Sequence, residues 1–206
     1  GPVWRAIPHK AAAAGYFAAL GMGFMFFEVS LIQMLTLFLG YPSYSLSVTL
    51  FGMLVFGGVG SFLSGRSHRS RTHLLLALLA ALTLAMLGYQ FAIPFVVDRF
   101  IGLALPLRIA IAILLIAPLG LTLGAFMPIG LRAIAAQTEH RREFVAWAWA
   151  VNGFLSVISS MLSTILAMIL GFHLLMMVAV LVYAAGVASL LRIPSQAAGD
   201  AVPTLD

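Results

Sequence analysis

The chain has 206 residues, of which 63% are hydrophobic and only 8% are charged. Soluble domains carry about 25% charged residues, so this composition excludes a soluble globular protein. The lack of cysteine excludes disulfide frameworks, thiolate metal sites and cysteine nucleophiles. The net charge of +5 comes from basic residues that lie between long apolar runs, and this placement favours a lipid bilayer over nucleic acid as the partner.

Six apolar runs are each long enough to cross a bilayer core, which takes about 20 residues of helix. The predicted spans are 11–39, 44–64, 74–97, 108–131, 146–170 and 172–191. The first span is long enough to tilt or kink, and we expect Tyr41-Pro42 to end it because proline cannot continue the helical hydrogen bonds. No alternating segments typical of barrel strands occur. The predicted fold class is therefore all-α, a polytopic bundle of six transmembrane helices.

The basic residues predict the orientation of the bundle. Of the eleven lysines and arginines, only Arg99 and Arg108 fall on one side of the predicted spans, and the positive-inside rule therefore places both termini in the cytoplasm. We expect a cytoplasmic segment at 1–10, a transmembrane domain at 11–191 and a flexible cytoplasmic tail at 192–206. Because the chain begins with Gly1 and not Met, we expect a fragment, a processed product or a protease scar.

Small and polar residues recur at helical spacing in three spans. Helices in lipid associate through close backbone contact at such residues, so the sequence predicts a packing seam; a transport path along the fifth span is the alternative. The seam residues are Gly57, Ser61, Gly65, Gly120, Gly124, Asn152, Ser156 and Ser160. Trp147 and Trp149 begin the fifth span and are predicted interface anchors, with headgroup or partner recognition as the alternative.

Glu28 is an ionisable residue inside the first span, and such residues are by default functional candidates. The helical rise from the start of each span gives the depth of a residue in the bilayer. By this measure Glu28 lies at the same depth as four other polar residues. The predicted cluster is Glu28, Gln33, Gln90, Arg108 and His173. We expect Glu28 to pair with Arg108, or to hydrogen-bond to an amide; a proton or substrate site, and ligation of a metal or porphyrin by His173, are the alternatives. Asn152 is expected nearer the cytoplasmic leaflet.

Motifs that would carry chemistry are missing from the sequence. It has no dinucleotide-binding glycine pattern, no P-loop lysine and no nucleophile elbow. His68 and His73 lie in a basic loop without a carboxylate or thiolate beside them, which disfavours a metal site. We predict no catalytic, cofactor-binding or metal-binding residues within this chain.

Several motifs resemble, in order, the membrane portion of bacterial spermidine-synthase-like membrane proteins. They are GYFAALGMGFMFFEVSLIQ (15–33), FLGYPSYSLSV (38–48), GSFLSGR (60–66), PLGLTLGAFMPIGLR (118–132) and AWAWAVNGFLSVISS (146–160). The resemblance implies a bundle that a Rossmann-like transferase domain commonly precedes, and a location in the bacterial inner membrane. The residues to test first within the matching motifs are Glu28, Gln33, Pro42, Pro128, Trp149 and Asn152.

The loop GSFLSGRSHRSR also resembles the glycine-and-arginine loop of major facilitator transporters, although Ser64 and Gly65 stand where an acidic residue is expected. Six spans would be half of such a transporter. Three hypotheses follow. The first is a non-catalytic module that anchors or scaffolds a partner domain or a larger membrane complex. The second is half of a small-molecule or proton-coupled transporter, paired as a homodimer, with Glu28 in the path. The third is the membrane part of a transferase acting on a polyamine-like or lipid substrate.

Overall fold

A computed structural model of the chain describes residues 9–67, 70–135 and 138–194. Within these ranges the chain forms six helices, each long and apolar enough to cross a membrane. They are α1 (Lys10–Leu39), α2 (Pro42–Arg66), α3 (Arg71–Phe100), α4 (Leu105–Ala135), α5 (Arg141–Leu170) and α6 (Phe172–Leu191). This confirms the predicted all-α six-helix bundle, and the chain is a multi-pass membrane protein. Most of the predicted terminal segments, and also His68, lie outside the described residues.

Two of the turns between helices depend on glycine. Gly40 follows α1 with φ of 89° and donates its N–H to the carbonyl of Thr36 at 2.9 Å, a left-handed helix end that glycine adopts without steric cost. Pro42 then begins α2, where its fixed φ suits the first helical turn. Gly40 therefore ends the first span. Tyr41 and Pro42 belong to the start of the second helix, which corrects the expectation that Tyr41-Pro42 ends the first. Gly171 alone links α5 to α6.

The helices pack as two groups. The α2–α4 pair makes the most extensive contact in the bundle, and α1 packs mainly against α5 and α6 to form the α1–α5–α6 group. Helix α3 lies against α4 and α6, while α2 and α5 make at most marginal contact with each other. The boundary between the α2–α4 pair and the α1–α5–α6 group is therefore open on the side where α2 faces α5.

Glycines set the spacing of the α2–α4 pair. A Cβ atom added to Gly124 would lie 2.0 Å from the carbonyl oxygen of Gly57, and one added to Gly60 would lie 2.0 Å from that of Leu121. Side chains at these positions would force the backbones apart, as expected for helix association through small residues. The predicted seam residues Gly57, Gly120 and Gly124 all lie at this contact.

Aromatic residues fill the centre of the bundle around α1. The hydroxyl of Tyr16 donates a hydrogen bond to the carbonyl oxygen of Phe126 at 2.7 Å, which links α1 to α4. The ring of Phe126 packs against Tyr183 of α6 with 4.9 Å between ring centroids. The buried Tyr16 hydroxyl therefore has a backbone acceptor. Buried polar groups in proteins are almost always hydrogen-bonded in this way.

Candidate functional site

A cavity of about 720 Å³ lies at the boundary between the α2–α4 pair and the α1–α5–α6 group. Its wall follows α4 from Gly120 to Leu131, about 16 Å of helical rise, and α2 from Leu50 to Ser61 over a similar length. Apart from aliphatic, methionine, phenylalanine, glycine and proline residues, its lining consists of Glu28, Ser61, Trp149, Asn152, Ser156 and Tyr183. We call this space the Glu28 cavity.

Glu28 lies on the cavity wall and is only 6% exposed. Among the residues that the structure describes, its carboxyl group has neither a hydrogen-bond donor nor an ion-pair partner. Burying an unpaired carboxyl group costs free energy in any apolar environment, and in a membrane span such a residue indicates function. Fully buried side-chain atoms without a partner also occur at Thr49, Arg71, Arg108 and Ser159, but none of these residues lines the cavity. Among the described residues of the cavity wall, Glu28 is the carboxyl group that a bound ligand would meet.

The pairings expected for Glu28 are not formed, because the other predicted residues have different environments. Arg108 donates from Nη1 to the carbonyl oxygen of Phe38 at 2.9 Å, at the end of α1. Terminal helix carbonyls lack intrahelical donors and carry partial negative charge, so they attract a guanidinium. Gln90 contacts the Met86 sulfur within its own helix, at 3.6 Å. Gln33 and His173 are exposed on the outside of the bundle.

Two members of the predicted seam on α5, Asn152 and Ser156, face α1 and the Glu28 cavity. Asn152 donates from Nδ2 to the carbonyl oxygen of Phe17 at 3.2 Å, and Ser156 donates to that of Asn152 at 2.9 Å. These contacts lie near Gly21, which precedes Glu28 by about 10 Å of helical rise. Asn152 therefore lies at a different level from Glu28, as expected, although both line one cavity. Ser160 instead donates to the carbonyl of Val157 in its own helix.

The two tryptophans of α5 have different surroundings. Trp149 is 55% exposed and lines the Glu28 cavity, whereas Trp147 packs against Phe144 with 5.6 Å between ring centroids. A tryptophan at the edge of an apolar cavity offers a flat face that attracts cations. The position of both tryptophans at the start of the span predicted interface anchors. Nothing in the sequence indicated that, of the two, Trp149 lines the cavity.

Pro128 and Gly124, one turn apart on α4, also line the Glu28 cavity. Proline has no N–H group and so removes the hydrogen bond that the carbonyl of the residue four positions earlier would accept in a helix. The Gly124 carbonyl thus lacks its ordinary donor. Pro128 appears in the sequence as a residue to test, but its effect on the cavity depends on the contact of α4 with α2.

Comparisons with protein-family models, with curated proteins and with solved structures find no match to this chain. Within 9–67, 70–135 and 138–194, no three His, Asp or Glu side chains come together as a metal site. The chemistry of the Glu28 cavity is therefore the basis for assigning a function.

Proposed function

We propose that this protein is the ligand-binding half of a small-molecule transporter, with Glu28 in the path. One observation carries the proposal: a buried carboxyl group without a partner lies on the wall of a cavity between two packed groups of helices. Membrane carriers bind substrates between helix groups near the middle of the bilayer. A volume of about 720 Å³ also falls in the range of about 300–1,000 Å³ that small-molecule sites occupy.

Six helices give one half of a two-fold carrier, so the proposal includes pairing with a second copy of the chain. The likeness of the loop after α2 to that of major facilitator transporters supports this assignment. The resemblance to the spermidine-synthase-like family supports a location in the bacterial inner membrane. The distribution of lysines and arginines supports cytoplasmic termini.

Cysteine labelling tests whether the Glu28 cavity is reached by water, because the chain contains no native cysteine. Ser61→Cys and Ser156→Cys place single thiols on the cavity wall. The matched control is Val157→Cys, a 66% exposed position in the middle of α5 that is not among the cavity-lining residues. In liposomes, a charged, membrane-impermeant thiol reagent should label the two cavity cysteines and leave the Val157→Cys control unlabelled, because lipid covers it.

Labelling equal to that of the Val157→Cys control at both cavity positions would overturn the transporter proposal. The mass of the protein extracted in mild detergent provides a second check. A mass corresponding to two copies of the chain agrees with a paired half-transporter, and a lone chain contradicts it.

A non-catalytic scaffold for a partner domain is the second proposal. It is favoured by the outer faces of α2 and α5 beside the cavity mouth, which expose large apolar side chains. They include Leu54, Phe62, Phe154 and Met161. The resemblance to proteins that carry a transferase domain supports the same idea. Mass spectrometry of material extracted gently from native membranes tests it: a stoichiometric protein partner is expected, and a homodimer without other proteins contradicts it.

A further inference from the structure

We infer that the Glu28 cavity binds a singly charged amphiphilic ammonium compound, with its N–H groups at Glu28 and its apolar body along α2 and α4. This inference rests on the proposed ligand-binding function and names the chemical class of the ligand. Four properties of the cavity support it: the sign of its charge, its hydrogen-bonding groups, its shape and its opening.

The cavity has one acidic side chain and no basic one. Glu28 is the one carboxyl group among the described residues that line it, and these include no lysine, arginine or histidine. Charges interact more strongly in an apolar environment than in water. An anionic ligand would therefore meet no basic side chain in the cavity, and a neutral one would bring no counter-charge to a Glu28 carboxylate.

Two oxygen acceptors of the cavity wall call for a hydrogen-bond donor. The donors of Asn152 and Ser156 are already bound to backbone carbonyls, while the Glu28 carboxyl group and the Gly124 carbonyl lack partners of the ordinary kind. A ligand that satisfies these oxygens must donate hydrogen bonds. This favours an ammonium group with N–H bonds over a quaternary ammonium, and a bond between charged groups is about twice as strong as a neutral one.

The shape of the cavity limits the ligand to one charge. Beyond Glu28 the wall is largely apolar, with Leu50, Met53, Leu123 and Met127 among its residues. A second ammonium group carried along this wall would leave water without meeting a second carboxylate, which is costly. A diamine should therefore bind much more weakly than a monoamine of the same length.

Between α2 and α5 the cavity also opens toward the bilayer. Leu54 of α2 is 77% exposed and Trp149 of α5 is 55% exposed, and both line the cavity. They lie on the two helices that scarcely touch each other. An amphiphile dissolved in the membrane can therefore enter sideways between α2 and α5, with its apolar body remaining in contact with apolar surface.

Equilibrium dialysis of radiolabelled octylammonium against the protein in zwitterionic lipid nanodiscs tests the inference, with empty nanodiscs as the baseline. We expect saturable binding at one site per chain. Glu28→Gln should weaken it at least about tenfold, because the buried charge pair is lost. The matched control Glu143→Gln removes the same charge from an exposed position in the first turn of α5 and should leave binding unchanged.

Two competitors distinguish binding through the ammonium charge from simple partitioning of the apolar chain. Octanol, which has the same chain without the charge, should not displace octylammonium, and the terminal diamine of octane should compete at least about tenfold less well. Equal competition by octanol or by the diamine, or unchanged binding to Glu28→Gln, overturns the inference.

A second variant protects the test against misfolding of Glu28→Gln. Glu28→Leu also removes the carboxyl group but places an apolar side chain in a largely apolar wall, so it should fold and should weaken binding as Glu28→Gln does. Unchanged binding to Glu28→Leu also overturns the inference. If the cavity cysteines are labelled but octylammonium does not bind, the ligand class is wrong while the transporter proposal stands. If they are not labelled, the transporter proposal itself fails.

Discussion

Arg132 of α4 donates a hydrogen bond from its guanidinium to the backbone carbonyl of Ser64 in the last turn of α2, with 2.9 Å between the two atoms. The same relationship recurs at the ends of two other helices. Arg108 donates to Phe38 near the end of α1, and Arg71 donates to Ile193 just after α6. Each guanidinium donates to a carbonyl at or just after a helix end, where intrahelical donors run out and the helix dipole is negative. The Ser64 carbonyl also accepts a bond from the Ser67 N–H at 3.4 Å.

Replacing Arg132 tests this form of helix capping. Arg132→Gln should lower the free energy of unfolding by about 1–2 kcal/mol, since a charged hydrogen bond to a helix end is lost. The control Arg142→Gln removes an exposed charge near the start of α5 and should change the free energy of unfolding little. The thermal unfolding midpoint of each purified variant provides the measurement, and equal midpoints for both variants would contradict the role given to Arg132.

The close approach of α2 and α4 makes a second prediction. Gly124→Ala introduces a Cβ atom 2.0 Å from the Gly57 carbonyl oxygen, and overpacking of this kind typically costs about 1–3 kcal/mol. Gly88→Ala provides the control, because a Cβ atom there has no neighbour within 4 Å and alanine suits a helix better than glycine. Unfolding in detergent should occur at a lower temperature for Gly124→Ala only. A lower unfolding temperature for both variants would contradict the prediction, because it would show that alanine destabilises the helices without a close contact.

Glu28 should lower the free energy of unfolding of the protein when no ligand is bound. Glu28→Leu replaces an unpaired buried carboxyl group with an apolar side chain and should raise the free energy of unfolding by about 1–3 kcal/mol. Glu143→Leu, made at an exposed position, should not stabilise the protein, because it removes an acid from a helix N-terminus. A lower unfolding temperature for Glu28→Leu than for the unmodified chain would falsify the view that Glu28 serves binding at the expense of stability.

The buried hydroxyl of Tyr16 provides a fourth test. Tyr16→Phe removes its 2.7 Å hydrogen bond to Phe126 and leaves that carbonyl without the tyrosine donor, so a loss of about 1 kcal/mol is expected. Tyr44→Phe makes the same change on an exposed residue at the start of α2 and should be neutral. The free energy of unfolding of the two variants, measured in urea or by heating, tests this prediction. An unchanged value for Tyr16→Phe would show that the hydrogen bond contributes nothing to stability.

The number and the approximate limits of the helices could be predicted from sequence, because apolar length alone determines whether a segment can span a bilayer. The helix ends were less predictable. Pro42 signals both the end of one helix and the start of another, and the choice depends on Gly40, which adopts the left-handed conformation between them.

Predicting the candidate site was harder, because depth along a helix says nothing about which helices are neighbours. Glu28 stood out as an ionisable residue in an apolar run, and Asn152 and Ser156 as part of a polar stripe. Their common cavity depends on α5 packing against α1, which no local pattern reports. Arg108 was predicted to pair with Glu28, but helix-end carbonyls are competing acceptors that side-chain charges alone do not reveal.

The two covalent links that join the α2–α4 pair to the α1–α5–α6 group differ in length. Gly40 and Tyr41 alone connect α1 to α2, and Arg108 holds the end of α1 beside them. At the opposite end of the bundle, five residues of sequence, 136–140, separate the end of α4 from the start of α5. We therefore expect the boundary to behave as a hinge with its pivot at Gly40. Small rigid-body rotations would then change the width of the Glu28 cavity most at the far end, without repacking the interior of either group.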